Sequence, residues 1–480
     1  MGQFFQIQDL GAIAPEVELA MFGMIVLIAD LLITEKRRLG MIALFGIASS
    51  GVFVFRLRGI AFMAYGGVLS IDAFSSFFKL IFLIAAALSI AISLKYLDIE
   101  RENHGEYYAL ILFATMGMMF MAGAVDLVTL YIGLETMAIA TYVLVGFLRG
   151  NQRSNEASMK YFLLGAFSSG ILLYGMSLLY GVSGSTRFAD IAEALSRRPL
   201  NDPISVMAMI TLSAGIFFKI AAVPFHQWTP DAYEGAPTSI TAYMSVAVKA
   251  ASFAMMVRIF MIAISPLRPQ WIAILTAVSI ITMTVGNIAA ITQSNVKRML
   301  AYSSISHAGY ILIGFIAGND TGLTAVPLYL LIYTFTNIGV WAVIVALRRK
   351  DIIGEHIDEM SGLYFKNPVA ALLMLIFLLS LAGIPPTAGF IGKYYLFAAA
   401  IQTGHNILAV IAVLNAAVSI YFYLRIVVAM FMREATEKTG LTYSPSLLTA
   451  LGVAFIFTML IGIYPDPFIA MARQAAAVGF

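Results

Sequence analysis

One segment of the sequence combines a lysine and two prolines inside a long apolar context: Lys219-Ile220-Ala221-Ala222-Val223-Pro224-Phe225-His226-Gln227-Trp228-Thr229-Pro230. Proline removes a backbone donor and clashes with the preceding turn, so a helix that reaches this segment is expected to be interrupted. Residues 383–393 repeat the combination, with Pro385 and Pro386 followed by Lys393. Because broken helices at membrane depth need protein or water to satisfy the freed backbone groups, both segments predict internal polar sites.

The composition around these segments is that of a membrane protein. Of the 480 residues, 61% are hydrophobic and 11% are charged, whereas a soluble domain carries about 25% charged residues. Too few polar side chains are present to cover a surface that faces water. The lipid bilayer is therefore predicted to be the solvent for most of the chain. The formal net charge of +3 gives no indication of nucleic acid binding.

Redox centres are not expected in this chain. Cysteine is absent, which excludes disulfides and cysteine-bound iron–sulfur clusters. The sequence has five histidines, and none of them form a pair at i, i+3 or i, i+4. Haem and zinc sites are consequently poorly supported. We therefore expect this chain to bind no cofactor and no metal.

The apolar segments predict an all-α polytopic membrane protein with about fourteen transmembrane helices. A helix needs about 20 residues to cross the hydrocarbon core, and the breaks fall at charge clusters and at Gly, Pro or Asn turns. The predicted helices cover residues 14–34, 39–56, 69–95, 106–123, 125–148, 156–182, 203–235, 236–264, 270–291, 295–317, 324–349, 367–402, 406–432 and 443–464. No cationic region precedes the first apolar stretch, so that helix is expected to be retained rather than cleaved as a signal peptide.

Lysine and arginine are distributed unevenly between the loops, which predicts the orientation. One alternating set of loops is rich in cations, namely Lys36, Arg37, Arg38, Arg101, Arg149, Arg153, Lys160, Lys297, Arg298, Arg348, Arg349, Lys350, Arg433 and Lys438. The other set is sparse and carries only Arg56, Arg58, Arg187, Arg197, Arg198 and Arg268. By the positive-inside rule the first set is cytoplasmic. Both termini are then expected on the periplasmic side of a bacterial inner membrane.

Four ionisable residues are predicted to lie deep inside membrane helices: Glu135, Lys219, Lys249 and Lys393. Such a group costs about 2.5–3.5 kcal/mol at mid-bilayer, even on insertion scales. One acid cannot neutralise three lysines, and a buried lysine without a partner exchanges its proton more readily near neutral pH. A row of such groups is what a proton relay requires.

Three further residues are weaker candidates for the relay. Lys160 lies near the start of a helix and could instead be a cytoplasmic lysine that extends to the membrane surface. His226 follows Pro224 and could either pass protons or cap the freed carbonyls. His307 is flanked by serines, and this polar stripe favours a relay role. Asp72 and Lys79, seven residues apart, are interpreted as a structural ion pair.

Four segments together resemble the antiporter-like membrane subunits of respiratory complex I, the NADH-quinone oxidoreductase. They are residues 225–238, 243–251, 295–310 and 383–393, and the likeness extends over about residues 106–432. The first segment carries Trp228-Thr229-Pro230-Asp231, a variant of the Trp-Leu-Pro-Asp pattern of the family. One departure from the family pattern is Ser239-Ile240, where a Pro-Val pair is expected after Thr238.

The resemblance implies two inverted five-helix repeats, each with a broken helix. It divides the chain into an N-terminal three-helix segment (1–105), a first repeat (106–264), a second repeat (265–432) and a C-terminal helix (433–480). It also implies that Glu135, Lys160, Lys219 and Lys249 form a first half-channel, with Lys393 as the exit residue of the second.

The implied function is indirect proton pumping. In this family, electrons pass from NADH through FMN and iron–sulfur clusters to quinone in partner subunits, and charge movement along the membrane arm drives translocation. The expected partners are other membrane-arm subunits, including sister antiporter-like subunits, the lipid bilayer, and protons as the transported species. Two alternatives stay open. One is a Na⁺/H⁺ or K⁺/H⁺ antiporter subunit of the multisubunit type, and the other is a scaffold that translocates nothing.

Overall fold

The structure is a computed structural model that describes residues 7–348, 355–434 and 442–476. Within these ranges the chain is almost entirely helical, as the sequence predicts. Arg349, Lys350 and Lys438, which contribute to the predicted orientation, lie outside the described residues.

The first part of the chain forms three long helices and one small hairpin. Its elements are α1 (Ile7–Ala12), α2 (Ala14–Leu32), α3 (Arg37–Arg56), β1 (Phe62–Ala64), β2 (Leu69–Ile71) and α4 (Ala73–Glu100). The two strands pair antiparallel, with Phe62 opposite Ile71. Asp72 caps α4, because its side chain accepts a hydrogen bond from the Ser75 backbone N–H at 2.7 Å. The hairpin is a minor addition to the predicted all-α fold.

The middle part contains the first interruption. Its helices are α5 (Gly105–Gly123), α6 (Leu127–Val145), α7 (Gln152–Ser183), α8 (Phe188–Ser196), α9 (Pro203–Ile220), α10 (Trp228–Gly235), α11 (Thr238–Tyr243) and α12 (Lys249–Arg258). The α11–α12 helix is continuous but takes π-helical geometry at Met244–Val248 and at Ile259–Ala263. Segments of this kind occur often at functional sites.

The last part contains the second interruption. Its helices are α13 (Arg268–Ile291), α14 (Val296–Ala317), α15 (Asp320–Leu347), α16 (Leu363–Lys366), α17 (Pro368–Ala382), α18 (Ala388–Gln402), α19 (Asn406–Met432), α20 (Pro445–Ile463) and α21 (Asp466–Ala476). Short 3₁₀ turns occupy Ser265–Leu267 and Ile357–Met360. Helices α8 and α21 were not predicted as separate elements.

The described helices account for all fourteen predicted membrane segments. Twelve helical stretches are long and apolar enough to cross a membrane. The remaining two predicted segments correspond to α2, which has 19 residues and three acids, and to the α17–α18 pair, whose halves have 15 residues each. Apolar side chains such as Leu31, Phe167 and Met432 are exposed on the outer helices, as expected for contact with lipid.

Both proline segments interrupt a helix. Helix α9 ends at Ile220, and Ala221 adopts a left-handed conformation with φ 60° before the chain resumes in α10. Helix α17 ends at Ala382, and Gly383 adopts φ 86° before α18 begins. A positive φ stops the helix at each position. The inverted relationship between the two halves stays a prediction.

Ion pairs between the ends of helices identify one end of the bundle, here called the basic end. Arg37 pairs with Asp98, and Arg348 pairs with Glu100 at 2.6 Å. Arg298, at the start of α14, bonds Glu234 on α10 at 2.7 Å. The cation-rich loops therefore lie together. Helices α14 and α15 cross the centre of the bundle from this end and are buried along nearly their whole length.

Candidate proton-transfer site

Four of the predicted relay residues lie in the buried centre of the bundle. The exposed fraction is 4% for Lys219, 3% for Lys249, 3% for His307 and 5% for Lys393. Each comes from a different helix, namely α9, α12, α14 and α18. Charged groups of this kind are rare inside membrane proteins and usually mark an ion or proton pathway.

Lys219 lies in the last turn of α9, beside the first interruption. Its ammonium donates a hydrogen bond to the Tyr142 hydroxyl on α6 at 3.3 Å. Glu135, on the same face of α6, interacts electrostatically with Lys219, but no ion pair within 4.0 Å joins them among the described residues. The Glu135 Oε1 atom is buried and has no hydrogen-bond partner in the described part of the chain. The charges are therefore coupled without direct contact.

Lys249 lies at the centre of the long α11–α12 helix, directly after the first π-helical stretch. Its ammonium donates hydrogen bonds to both oxygens of Ser304 on α14, and the bond to the hydroxyl measures 2.5 Å. No acidic residue pairs with Lys249 among the described residues. The serine supplies neutral acceptors, so an uncharged lysine also fits the site.

His307 lies one turn beyond Ser304 on α14. Its Nδ1 forms a hydrogen bond with the Tyr329 hydroxyl at 2.6 Å, and its Nε2 forms one with the Tyr423 hydroxyl at 3.1 Å. The Tyr423 hydroxyl also bonds the Ser303 hydroxyl at 2.5 Å. Both ring nitrogens therefore have partners that can donate or accept a proton.

Lys393 lies on α18, just beyond the second interruption. Its ammonium donates a hydrogen bond to the Ala382 carbonyl, the last of α17, at 2.8 Å. The same ammonium lies 5.0 Å from the centre of the Tyr310 ring. His307 interacts electrostatically with both Lys249 and Lys393. The histidine therefore lies within electrostatic range of both lysines.

Lys160 is placed differently from the other lysines. Its side chain is 46% exposed and pairs with Glu156 at 2.8 Å and with Asp231 at 3.0 Å. These residues line an open cavity of about 260 Å³ at the basic end, together with Arg298 and Glu234. The structure therefore separates Lys160 from the buried row and places it at an exposed surface of the basic end.

His226 lies in the interruption between α9 and α10 and is half-buried. Its Nδ1 atom is enclosed and has no hydrogen-bond partner among the described residues. The histidine is brought close to the break but is not joined to the buried row by a described hydrogen bond.

The predicted pairing of Asp72 with Lys79 is wrong. Asp72 forms a buried ion pair with Arg258 at 2.6 Å, and Lys79 forms a buried ion pair with Glu16 at 2.7 Å. Seven residues is close to two helical turns, which suggested a shared face. The tertiary fold instead brings each charge to a partner from another helix, since Glu16 lies on α2 and Arg258 lies at the end of α12.

The sequence did not single out the tyrosine hydroxyl groups that bond members of the row. They belong to Tyr142, Tyr329 and Tyr423. The chain has 22 tyrosines, so composition and spacing gave no signal for these three, whereas Ser304 belongs to the serine stripe that flanks His307. No group of three or more acidic or histidine side chains that could hold a metal occurs in the described ranges.

Comparison with known proteins identifies the family of this chain. Residues 124–419 match the family described as NADH:quinone oxidoreductase/Mrp antiporter, TM. The chain is 52% identical to NADH-quinone oxidoreductase subunit N 2 of Solibacter usitatus, over 98% of this chain and 98% of that protein. It is also similar to a chain of respiratory complex I from Thermus thermophilus with bound aureothin, with a TM-score of 0.82 and 32% identity, over 96% of this chain and 99% of that chain.

A chain of the Mrp complex from Dietzia sp. DQ12-45-1b gives a TM-score of 0.84 at 22% identity, covering 98% of this chain and 97% of that chain. That likeness shows a shared fold alone. The matches define the class as antiporter-like polytopic membrane proteins of the NADH:quinone oxidoreductase and Mrp type. Within this class, the chain belongs to the family of NADH-quinone oxidoreductase subunit N. The resemblance predicted from the four sequence segments is confirmed.

Proposed function

We propose that this chain is a proton-translocating membrane-arm subunit of a bacterial NADH-quinone oxidoreductase. NADH oxidation and quinone reduction, with FMN and iron–sulfur clusters, take place in partner subunits. The neighbours of this chain are other membrane-arm subunits, including sister antiporter-like subunits. The basic end faces the cytoplasm, and both termini lie on the periplasmic side.

The proposal rests on the buried row of protonatable side chains, namely Lys219, Lys249, His307 and Lys393. Every member has a hydroxyl or carbonyl partner, and no described carboxylate pairs directly with any of them. Permanent ion pairs would trap the protons, whereas neutral partners leave both protonation states accessible. The side chains of such a row can hold and release protons one after another.

Glu135 supplies the coupling to the rest of the complex. It lies near Lys219 without direct contact, so a charge that moves in a neighbouring subunit can change their interaction. Two unit charges about 4 Å apart interact by about 4 kcal/mol at an effective dielectric constant of 20, and the interaction between Glu135 and Lys219 is weaker because these groups are farther apart. Moving one proton against 100 mV costs about 2.3 kcal/mol. The two energies are of the same order, which supports an electrostatic coupling.

The proposed route runs from Lys219 through Lys249 and His307 to Lys393, which releases protons at the end opposite the basic end. Lys160 and His226 take part only at the periphery, in proton uptake near α10. The predicted division into an N-terminal segment, two repeats and a C-terminal helix is retained as part of this proposal.

The test compares membranes that carry Lys219→Ala and Lys219→Arg with the wild type. Both the NADH–quinone reaction rate and the resulting proton gradient are measured, and assembly is checked on a native gel. Arginine keeps the positive charge but does not release its proton. We expect pumping to fall at least about tenfold in both variants, since about 1.4 kcal/mol on a barrier has this effect.

The scaffold alternative makes the opposite prediction. If this chain only spaces other subunits, Lys219→Arg leaves both rates at the wild-type level as long as the complex assembles. A third outcome would identify an antiporter subunit. In that case the Lys219 variants leave NADH-driven electron transfer unaffected, but their membranes lose the sodium gradient.

A further inference from the structure

Helix α15 carries a stripe of large polar side chains at a spacing of four residues: Tyr329, Tyr333, Asn337 and Trp341. All four are at most 3% exposed. Residues four apart lie on the same face of a helix, with a rise of about 6 Å per step. Tyr329 contacts His307, so the stripe begins in the relay and runs from there toward the basic end.

Helix α11–α12 presents a second stripe to α15. Thr238, Thr241, Ser245 and Lys249 follow one another at three- and four-residue spacing and are at most 6% exposed. The two stripes meet where the Asn337 amide donates a hydrogen bond to the Ser245 hydroxyl at 2.7 Å. Ser245 precedes Lys249 by about one turn, so this contact lies directly on the basic side of the lysine.

Helix α14 supplies a third polar element on the same side. Lys297 is 1% exposed, and its ammonium donates a hydrogen bond to the Ala236 carbonyl at 2.7 Å. Ser304, the partner of Lys249, lies seven residues further along α14, which is about two turns and therefore on the same face. The three elements surround a common line between the basic end and Lys249.

A small cavity closes this line at the basic end. It has a volume of about 70 Å³, and Thr238, Lys297 and Arg348 are among its lining residues. Arg348 follows Trp341 by seven residues, or about 10 Å along α15. Helices α11–α12, α14 and α15 therefore each contribute one residue to the lining of the cavity, and each also has a polar residue at or near Lys249.

The middle of the line contains an unused donor. The indole N–H of Trp341 is fully buried and has no hydrogen-bond acceptor among the described residues. A buried donor without an acceptor costs about 1–3 kcal/mol. A water molecule between Trp341 and the Asn337–Ser245 pair would satisfy the indole and link it to that pair.

We infer that the face shared by α11–α12, α14 and α15 is a proton-access track from the basic end to Lys249, with Asn337 and Trp341 as the residues that position water in it. The inference rests on the proposed function and specifies a route by which Lys249 is reached without passing Lys219. A proton travels about 12 Å along α15, from the level of Trp341 to that of Tyr333, where Ser304 and Lys249 receive it.

Interhelical hydrogen bonds such as Asn337–Ser245 also serve simply to hold membrane helices together. Three features favour the track: polar side chains from three helices recur along the line, the line connects a cavity at the basic end with a buried lysine, and Trp341 brings a donor that no described group uses. Adhesion between helices requires none of these.

The test replaces Asn337 with leucine and, separately, with serine, and Trp341 with phenylalanine. Leucine is similar in size but repels water, serine keeps a hydroxyl and leaves room for water, and phenylalanine removes only the indole. The matched control is Thr334→Val, because Thr334 is buried on the same helix and its hydroxyl donates, among the described residues, to the Leu330 carbonyl of that helix at 2.7 Å.

The assay measures NADH-driven proton translocation in assembled complexes, in H₂O and in D₂O. We expect N337L and W341F to slow translocation at least about threefold and to increase the solvent isotope effect, because proton access becomes limiting. N337S and T334V should stay close to the wild type in both measurements.

Two outcomes would overturn the inference. N337L and W341F could retain wild-type rates, or N337L could fall without rescue by serine and without a change in isotope effect, which identifies a purely structural role. Lys249→Ala, measured in parallel, separates this failure from failure of the proposed function. If Lys249→Ala abolishes pumping while N337L does not, the relay stands and the track is wrong; if Lys249→Ala is also silent, the relay itself is wrong.

Discussion

The Lys249 ammonium and the Ser304 hydroxyl are 2.5 Å apart and join α12 to α14 in the centre of the bundle. These helices belong to the two halves that the sequence predicts as separate repeats. In the proposed route, this contact is the place where a proton leaves the first half and enters the second. The proposal thereby includes Ser304, a residue without charge, in the relay.

Ser304→Ala is expected to slow pumping by about three- to tenfold, corresponding to about 0.7–1.4 kcal/mol on the barrier. The change removes the hydroxyl acceptor but leaves the backbone carbonyl that also bonds Lys249. Proton translocation in assembled complexes measures the effect. Ser89→Ala is the control, because Ser89 is equally buried but its hydroxyl has no described partner. An equal loss in both variants would contradict a specific role for Ser304.

Gly389→Ala is expected to prevent stable assembly of the second broken helix. A Cβ atom at this position would lie 1.7 Å from the Ser380 carbonyl oxygen across the interruption. Overpacking of this kind costs about 1–3 kcal/mol or more. Gly170→Ala is the matched control, because a Cβ there meets nothing within 4 Å. The amount of assembled complex on a native gel distinguishes the two, and similar amounts would contradict the close approach.

Asp72→Asn is expected to destabilise the chain by about 3–5 kcal/mol, because it leaves the Arg258 charge buried without its partner. Arg258 is 2% exposed. The midpoint of thermal unfolding in detergent measures the loss. The double variant Asp72→Asn with Arg258→Gln should recover part of it, since neither charge then remains. A double variant that is less stable than Asp72→Asn alone would show that Arg258 is stabilised mainly by other contacts.

Lys160→Ala is expected to affect pumping much less than Lys219→Ala. Ion pairs between exposed side chains contribute about 0–1 kcal/mol, and Lys160 is about half exposed between Glu156 and Asp231. Any slowing should shrink at high ionic strength, where such pairs are screened. Translocation measured at two salt concentrations checks this. A loss as large as that of Lys219→Ala would place Lys160 in the main path.

Hydropathy and proline chemistry were sufficient to predict the helices and both interruptions. In lipid, an apolar run of this kind satisfies its backbone hydrogen bonds by forming a helix, so the length of the run predicts a membrane-spanning helix. Helix α2 was found in this way despite its three acids. The small helices α8 and α21 lack such a constraint, and their apolar runs are too short to predict a membrane span.

The lysines of the candidate site were also predictable, because a charge inside an apolar run is conspicuous. Their partners were not. Asp72 and Arg258 are separated by 186 positions, and only the packing of α4 against the end of α12 brings them together. The pairing with Lys79 was wrong for the same reason, since proximity in sequence carried no information about the neighbouring helix.

The two interruptions also have an electrostatic effect on the lysines beside them. The carboxyl end of a helix carries about half a negative charge from its unpaired carbonyls. Lys219 lies in the last turn of α9, and Lys393 bonds the final carbonyl of α17. The Lys393 ammonium thus rests against a negative helix end, and Lys219 is a cation in the last turn of α9. A favourable macrodipole interaction of this kind is worth up to about 2 kcal/mol. In an unbroken helix those carbonyls would be bonded internally, so the breaks themselves help a cation to exist at membrane depth.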